Sequence, residues 1–215
     1  MSLRHLLITL LSLFLAPDAL WAVGDEGAVV GKVADSHSVT DNGQFTYTMP
    51  IAVASGTGGM SPKLSIAYGS TNGVGLLGYG FDLHGLSAIS RAPRNLFNDG
   101  KADIIRFGAS DRFTLDGRRL QEVARTDATV EYRTEQDTHA RIVSYGNPAN
   151  PDSFVVWGKE GIRYRYDNLG GAANLHWYLS RATDTKGNYF RVAYRQGSPN
   201  EFVPLRIDYT GNEST

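Results

Sequence analysis

Ile162-Arg163-Tyr164-Arg165-Tyr166 and Phe190-Arg191-Val192-Ala193-Tyr194 decide how this chain folds. In both, every second side chain is large and apolar or aromatic, and those between are charged or small. A period of two sends successive side chains to opposite faces, so each stretch predicts a half-buried strand of an antiparallel sheet. The same alternation runs through Phe45–Met49, Leu64–Tyr68, Phe113–Leu115, Val130–Tyr132 and Leu205–Tyr209. It places Ile66, with Leu64 and Tyr68, on a core-facing side. Phe154–Trp157 is unbroken and apolar, which suits a strand covered on both faces. Turn chemistry separates the runs at Asp41-Asn42-Gly43, Asn98-Asp99-Gly100, Asp116-Gly117, Asn168-Leu169-Gly170-Gly171 and Lys186-Gly187-Asn188. Arg118–Thr126 lacks a three-to-four period and reads as one helical turn at most. The expected class is all-β, with many short antiparallel strands and Gly-rich turns in a sandwich- or shell-like arrangement.

A chain of 215 residues with 41% hydrophobic and 20% charged side chains is globular and holds one domain or a tight pair. Lys plus Arg (21) nearly cancels Asp plus Glu (22), which removes the electrostatic case for nucleic acid or an anionic membrane as main partner. The absence of cysteine excludes disulfides, cysteine zinc sites and thiol catalysis together.

The first residues stand apart from the fold. Arg4 precedes the apolar run Leu6–Ala16, Pro17 and Asp18 interrupt it, and Ala19-Leu20-Trp21-Ala22 offers a small residue for cleavage. That order is a secretory signal peptide, Met1–Ala22, and the run is too short to span a bilayer. Residues 23–39 read as a linker or loose arm and 40–215 as the β domain. The mature chain is expected to be secreted, passing through the periplasm if bacterial, without a stable membrane span.

Apparent motifs fail on their surroundings. Gly73-Val74-Gly75-Leu76-Leu77-Gly78 has dinucleotide-site spacing, but Tyr79-Gly80-Phe81-Asp82 follows where a helix must start. Gly56–Lys63 lacks the ending of a phosphate loop, and Pro62 removes an amide that would cradle phosphate. Asn98–Asp103 carries too few oxygen ligands for calcium and reads as a turn. His37, His84, His139 and His176 are scattered, Glu131 and Glu135 cannot be placed across a cleft, and Arg118-Arg119 and Arg163-x-Arg165 are short basic clusters, the latter on the polar face of an alternating strand where exposure is the default. No residue is nominated as catalytic, cofactor-binding or metal-ligating, and no cofactor is expected. Asp184-Thr185-Lys186-Gly187-Asn188 recurs as Asp208-Tyr209-Thr210-Gly211-Asn212, suggesting stacked repeat units. The second copy reads as a turn with no partner strand after it, so the sequence looks cut off.

Gly43–Ile51, then Gly56–Ser70 (GTGGMSPKLSIAYGS), Gly75–Leu83 (GLLGYGFDL) and Ile89-Ser90-Arg91 form one ordered signature. It resembles the N-terminal domain of the virulence-plasmid B protein (SpvB) family, shared with B components of insecticidal toxin complexes. Phe81 stands where that family usually has tryptophan. Asp111–Leu120 and Tyr132–Glu135 fit as well, and Tyr166-Asp167 with the Asp-x-x-Gly-Asn stretches resembles Rhs/YD-repeat punctuation over about 160–215. The resemblance implies a β-rich, non-enzymatic structural module of a secreted toxin, acting in assembly or encapsulation, with any toxic enzyme in a separate C-terminal domain. The implied partners are other toxin-complex or Rhs chains or a downstream repeat domain. The competing expectations are a carbohydrate-binding adhesin and a β-scaffold glycoside hydrolase with paired carboxylates.

Overall fold

Phe45–Met49 forms part of a strand in the computed structural model, which describes residues 34–198 and 201–214. The signal segment and residues 23–33 of the arm lie outside the described residues. Strand β1 (Ser36–Val39) pairs with β2 (Phe45–Pro50), and β2 pairs with β3 (Ser65–Gly69). A small hairpin of β4 (Val74–Gly75) and β5 (Gly78–Tyr79) then leads to β6 (Phe81–His84), which returns to β3. Two expectations change in this four-stranded sheet. Ser36–Val39, read as the end of a loose arm, is an edge strand. Ile66, with Leu64 and Tyr68, is only half-buried, whereas Ala67 between them is buried. Alternation sorts the two faces by polarity, but burial needs a second layer.

The next eight strands are β7 (Ala88–Ala92), β8 (Arg112–Leu115), β9 (Arg118–Arg125), β10 (Thr129–Thr134), β11 (Arg141–Asn147), β12 (Asn150–Trp157), β13 (Arg163–Asn168) and β14 (His176–Thr183). Each pairs antiparallel with the next, and β14 returns to β7 with Trp177 opposite Ile89, closing a barrel. A one-turn helix, α1 (Leu96–Asp99), lies in the long β7–β8 connection. Asp116 and Gly117 join β8 to β9 with φ of 48° and 78°. Positive φ at both positions is a type I′ turn, whose twist matches its flanking strands and which glycine adopts without steric cost. Register shifts at Glu131/Tyr132, Tyr145/Gly146 and Arg165/Tyr166 bend the strands as closure requires.

Arg118–Thr126 is therefore mostly strand β9, not a helical turn. Pairing on both sides by β8 and β10 overrides its weak local pattern, and Leu120 points into the interior at 2% exposure. Eight strands leave an interior that side chains can fill. Phe113, Phe154 and Trp177 meet edge to face there, with centroids 5.2, 5.3 and 5.2 Å apart. Phe154–Val156 is buried on both faces, as the unbroken apolar run Phe154–Trp157 predicts, but Trp157 at its end is only half-buried.

Strand β14 also splits its outer edge. Residues 176–178 pair with β7, and 181–183 pair with β15 (Asn188–Gln196), which carries β16 (Phe202–Asn212). The two Asp-x-x-Gly-Asn copies end side by side here, with Asn188 opposite Asn212. Only the first is a turn: the Asp184 carboxylate accepts the Lys186 and Asn188 amides at 2.8 and 2.9 Å. The second lies within strand β16 as a bulge, with Thr210 at a φ of 74°, and its Gly211 lies under the Tyr189 ring, where a Cβ would come within 2.4 Å of ring carbon. Tyr189 in turn stacks on the Arg181 guanidinium at 3.7 Å, and Glu213 pairs with Arg163 and Arg181. Strand β16 has no strand on its outer side among the described residues, and Pro204 removes one donor from it.

Candidate functional site

Strand β7 alternates Ile89 and Arg91 toward the barrel interior, so an arginine is carried into a core position. Its side chain and that of Asp111 are 0% and 1% exposed. The guanidinium donates to the Asp111 carboxylate (3.1 Å), the Ala149 and Asn174 carbonyls (2.9 and 3.0 Å) and the Asn150 side-chain oxygen (3.0 Å). Rings of Phe107, Phe113 and Trp177 lie 5.4 to 5.5 Å from its central carbon. Burial pulls the Arg91 guanidinium below its usual pKa, opposed by the hydrogen bond and charge of Asp111. Asp111 also accepts the backbone amides of Arg106 and Gly108, so it anchors the β7–β8 connection across this end of the barrel.

A second carboxylate stiffens that connection. Asp99, at the end of α1, pairs with Arg112 (2.9 Å) and Arg119 and accepts the Asn95 amide at 2.9 Å. Burial works against its charge, but the Asn95 amide and the two guanidiniums prevail, holding its carboxyl below the ordinary value. A depressed folded pKa gives stability that is complete above the unfolded value, about 4, and lost as pH falls through the lower folded value. Asp99→Asn should therefore cost about 2 kcal/mol at neutral pH, by the loss of charged hydrogen bonds. The deficit should shrink below about pH 4 as wild-type Asp99 is protonated. Urea midpoints measured from neutral to acid pH check this, and parallel curves for the two proteins would refute it.

The opposite end holds a cavity of about 930 Å³, lined by Met60, Leu115, Val156, Tyr164, Tyr166, Leu179 and Phe190 among others. Met60 enters the core from the Gly56–Lys63 loop, so that segment acts as a strap on the barrel. Ser87 Oγ donates to Asp116 at 2.7 Å and meets the Tyr166 hydroxyl at 2.9 Å. Burial raises the Tyr166 hydroxyl, and burial with the Glu160 carboxylate raises Tyr164 to about 12. Both phenols stay protonated at neutral pH. Its lining also includes Lys63, Asp116, Asp137, Lys159 and Glu160, and its size is that of small-ligand pockets, ~300–1,000 Å³.

The structure disperses the remaining sequence candidates. Gly73–Gly78 falls in the β4–β5 hairpin, and Asn98–Asp103 supplies the end of α1 and its left-handed Gly100 cap. His37 and His84 lie on the small sheet, His139 is exposed beside Asp137, and His176 meets Ser90 Oγ at 2.9 Å. Glu131 pairs with Arg133 and Arg141 rather than facing Glu135. Arg163 and Arg165 are exposed, as the polar phase of their strand predicts, whereas Arg119 is buried and bound to Asp99. Among the described residues no group of three His, Cys, Asp or Glu is placed to hold a metal ion. Sequence reading passed over Arg91 as a core residue. Its signal was an arginine two residues from Ile89 in the inward phase, which requires a buried partner.

The family described as Salmonella virulence plasmid 65kDa B protein matches residues 39–156. No curated protein matches the chain. Among solved structures, a chain of TcdB2-TccC3 is similar with a TM-score of 0.69 and 14% identity, over 82% of this chain and 10% of that one. The Photorhabdus luminescens Tc holotoxin pore gives 0.67 and 14%, over 83% and 10%. The N-terminal domain of effector protein SpvB from Salmonella typhimurium strain LT2 gives 0.61 and 16%, over 75% and 62%. At these identities the likeness is one of fold. The chain spans about a tenth of the toxin-complex chains it matches.

Proposed function

The chain belongs to the SpvB family, and from that premise we propose that it is a secreted, non-catalytic structural module of a toxin-complex or Rhs-type protein, acting in assembly or encapsulation of a toxin. The observation that carries this reading is the shared fold over four-fifths of the chain with TcdB2-TccC3, a protein of a toxin complex. The barrel interior supports it: Arg91, deep among the aromatic rings, has its donors engaged by the protein itself, and the buried phenols stay protonated. Such a barrel is a rigid part that presents surfaces. Partners are then toxin-complex or Rhs chains or a repeat domain continuing beside β16, where the two Asp-x-x-Gly-Asn copies already stack.

Mixing the purified chain with a TccC3-type chain should give one co-eluting species by size exclusion with light scattering. The chain alone should turn over no sugar, ester or nicotinamide dinucleotide, and exported material should have a mass beginning at Val23. Hydrolysis of any of these substrates that is lost on replacing a single carboxylate would overturn the proposal.

A further inference from the structure

From Gly43 to Phe81 the only charged side chain is Lys63. Residues 39–81 nevertheless hold nine of the seventeen large hydrophobics that are exposed among the described residues. The register of the small sheet collects several of these on one face. Val39 stands opposite Phe45, Tyr47 opposite both His37 and Tyr68, and Tyr68 opposite Phe81. Rings of Phe45 and Tyr68 lie 6.4 Å apart and those of Tyr68 and Phe81 4.7 Å apart, so the face is a continuous aromatic row. Ser38, Thr46 and Thr48 alternate onto the other face. None of the row joins the barrel core, and Val39, Phe45 and Phe81 are 67%, 40% and 39% exposed.

We propose that this face is an interface between two copies of the chain, stacked sheet on sheet about a two-fold axis. A flat apolar sheet face is covered most simply by another, about 10 Å away with strands nearly aligned. The scarcity of charge, with His37 and no Asp, Glu, Lys or Arg in the row, selects the occupant. A two-fold contact brings each residue near its own copy or its neighbours, and a face without Asp, Glu, Lys or Arg meets itself with little of the like-charge repulsion that opposes most self-contacts. It offers nothing to match a nucleic acid or a charged peptide. Four strands ~4.8 Å apart and about five residues long at ~3.3 Å each give a footprint of roughly 20 by 17 Å. That is smaller than the ~800 Å² per partner of a standard interface, so the dimer belongs to the weak, micromolar class. The inference does not depend on a role in a toxin complex, because it concerns only this chain.

Sedimentation velocity of the full chain from about 1 to 100 μM tests it, since that range brackets a micromolar dissociation constant. Wild type should pass from monomer to dimer. The double variant Val39→Lys/Phe45→Lys, which places two cations on the face, should weaken dimerisation by ~100-fold or more, as charging interface anchors does. Leu205→Lys, on the exposed side of β16, should leave it unchanged. Both positions on the face are exposed in the monomer, and Val39→Lys alone is read if the double variant loses its circular dichroism. A monomer throughout the range, a dimer indifferent to these lysines, or one abolished by Leu205→Lys would overturn the proposal. So would wild-type monomers that bind phosphatidylcholine vesicles through the same residues.

Discussion

Replacing Arg91 by alanine should cost about 3–5 kcal/mol of folding stability, the range for breaking a buried ion pair from one side. The loss leaves the Asp111 carboxylate charged in the barrel, and it strips donors from the carbonyls of Ala149 and Asn174 and from Asn150. Three rings also lose the cation they pack around. Arg91→Lys should recover only part of this. One ammonium keeps the charge, but it cannot reach four acceptors that a planar guanidinium serves together. Denaturant midpoints of the three proteins check the order wild type, lysine, alanine. An alanine variant within about 0.5 kcal/mol of wild type would place Arg91 among ordinary surface sites and contradict its burial.

Trp177→Ala should be of similar severity, about 3–5 kcal/mol, for a different reason. The indole is 0% exposed and meets Phe113 and Phe154 edge to face, so its removal opens a void at the centre of the barrel. Its Nε1 also donates to the Pro151 carbonyl at 2.7 Å, a bond that Trp177→Phe would remove while keeping much of the ring. The phenylalanine variant should therefore fall between the other two in thermal unfolding. Arg91 and Trp177 touch, so the doubly substituted protein should lose less than the sum of the single losses. Strict additivity would mean that the two act as separate supports.

Four arginines show how far the sequence reaches into the candidate site. Arg163 and Arg165 occupy the polar phase of an alternating strand, and both are exposed as that phase predicts. Arg119 also lies in a strand, but its aspartate is twenty residues earlier, within the β7–β8 connection. Nothing near Arg119 announces that partner. Arg91 is similar, since its ligands come from residues 111, 149, 150 and 174. The cavity likewise draws Met60, Val156 and Phe190 from separate parts of the chain.

The amino-acid sequence by itself determined the class of element and much of the punctuation. Alternation is a property of neighbours two apart, and the Asp116-Gly117 turn needs only its own two backbone conformations, so both are written locally. It also carried the ordered signature by which the family is recognised. Only the tertiary structure decided that β14 returns to β7, that Arg118–Arg125 is a strand, and that the second Asp-x-x-Gly-Asn copy is a bulge within a strand rather than a turn. It decided too that Ile66 lies on an open face while Ile89, with the same alternation around it, is completely buried. Period two states that a strand has two unlike faces. Which face is covered depends on what packs over it, and that is set by pairings between residues far apart in the chain.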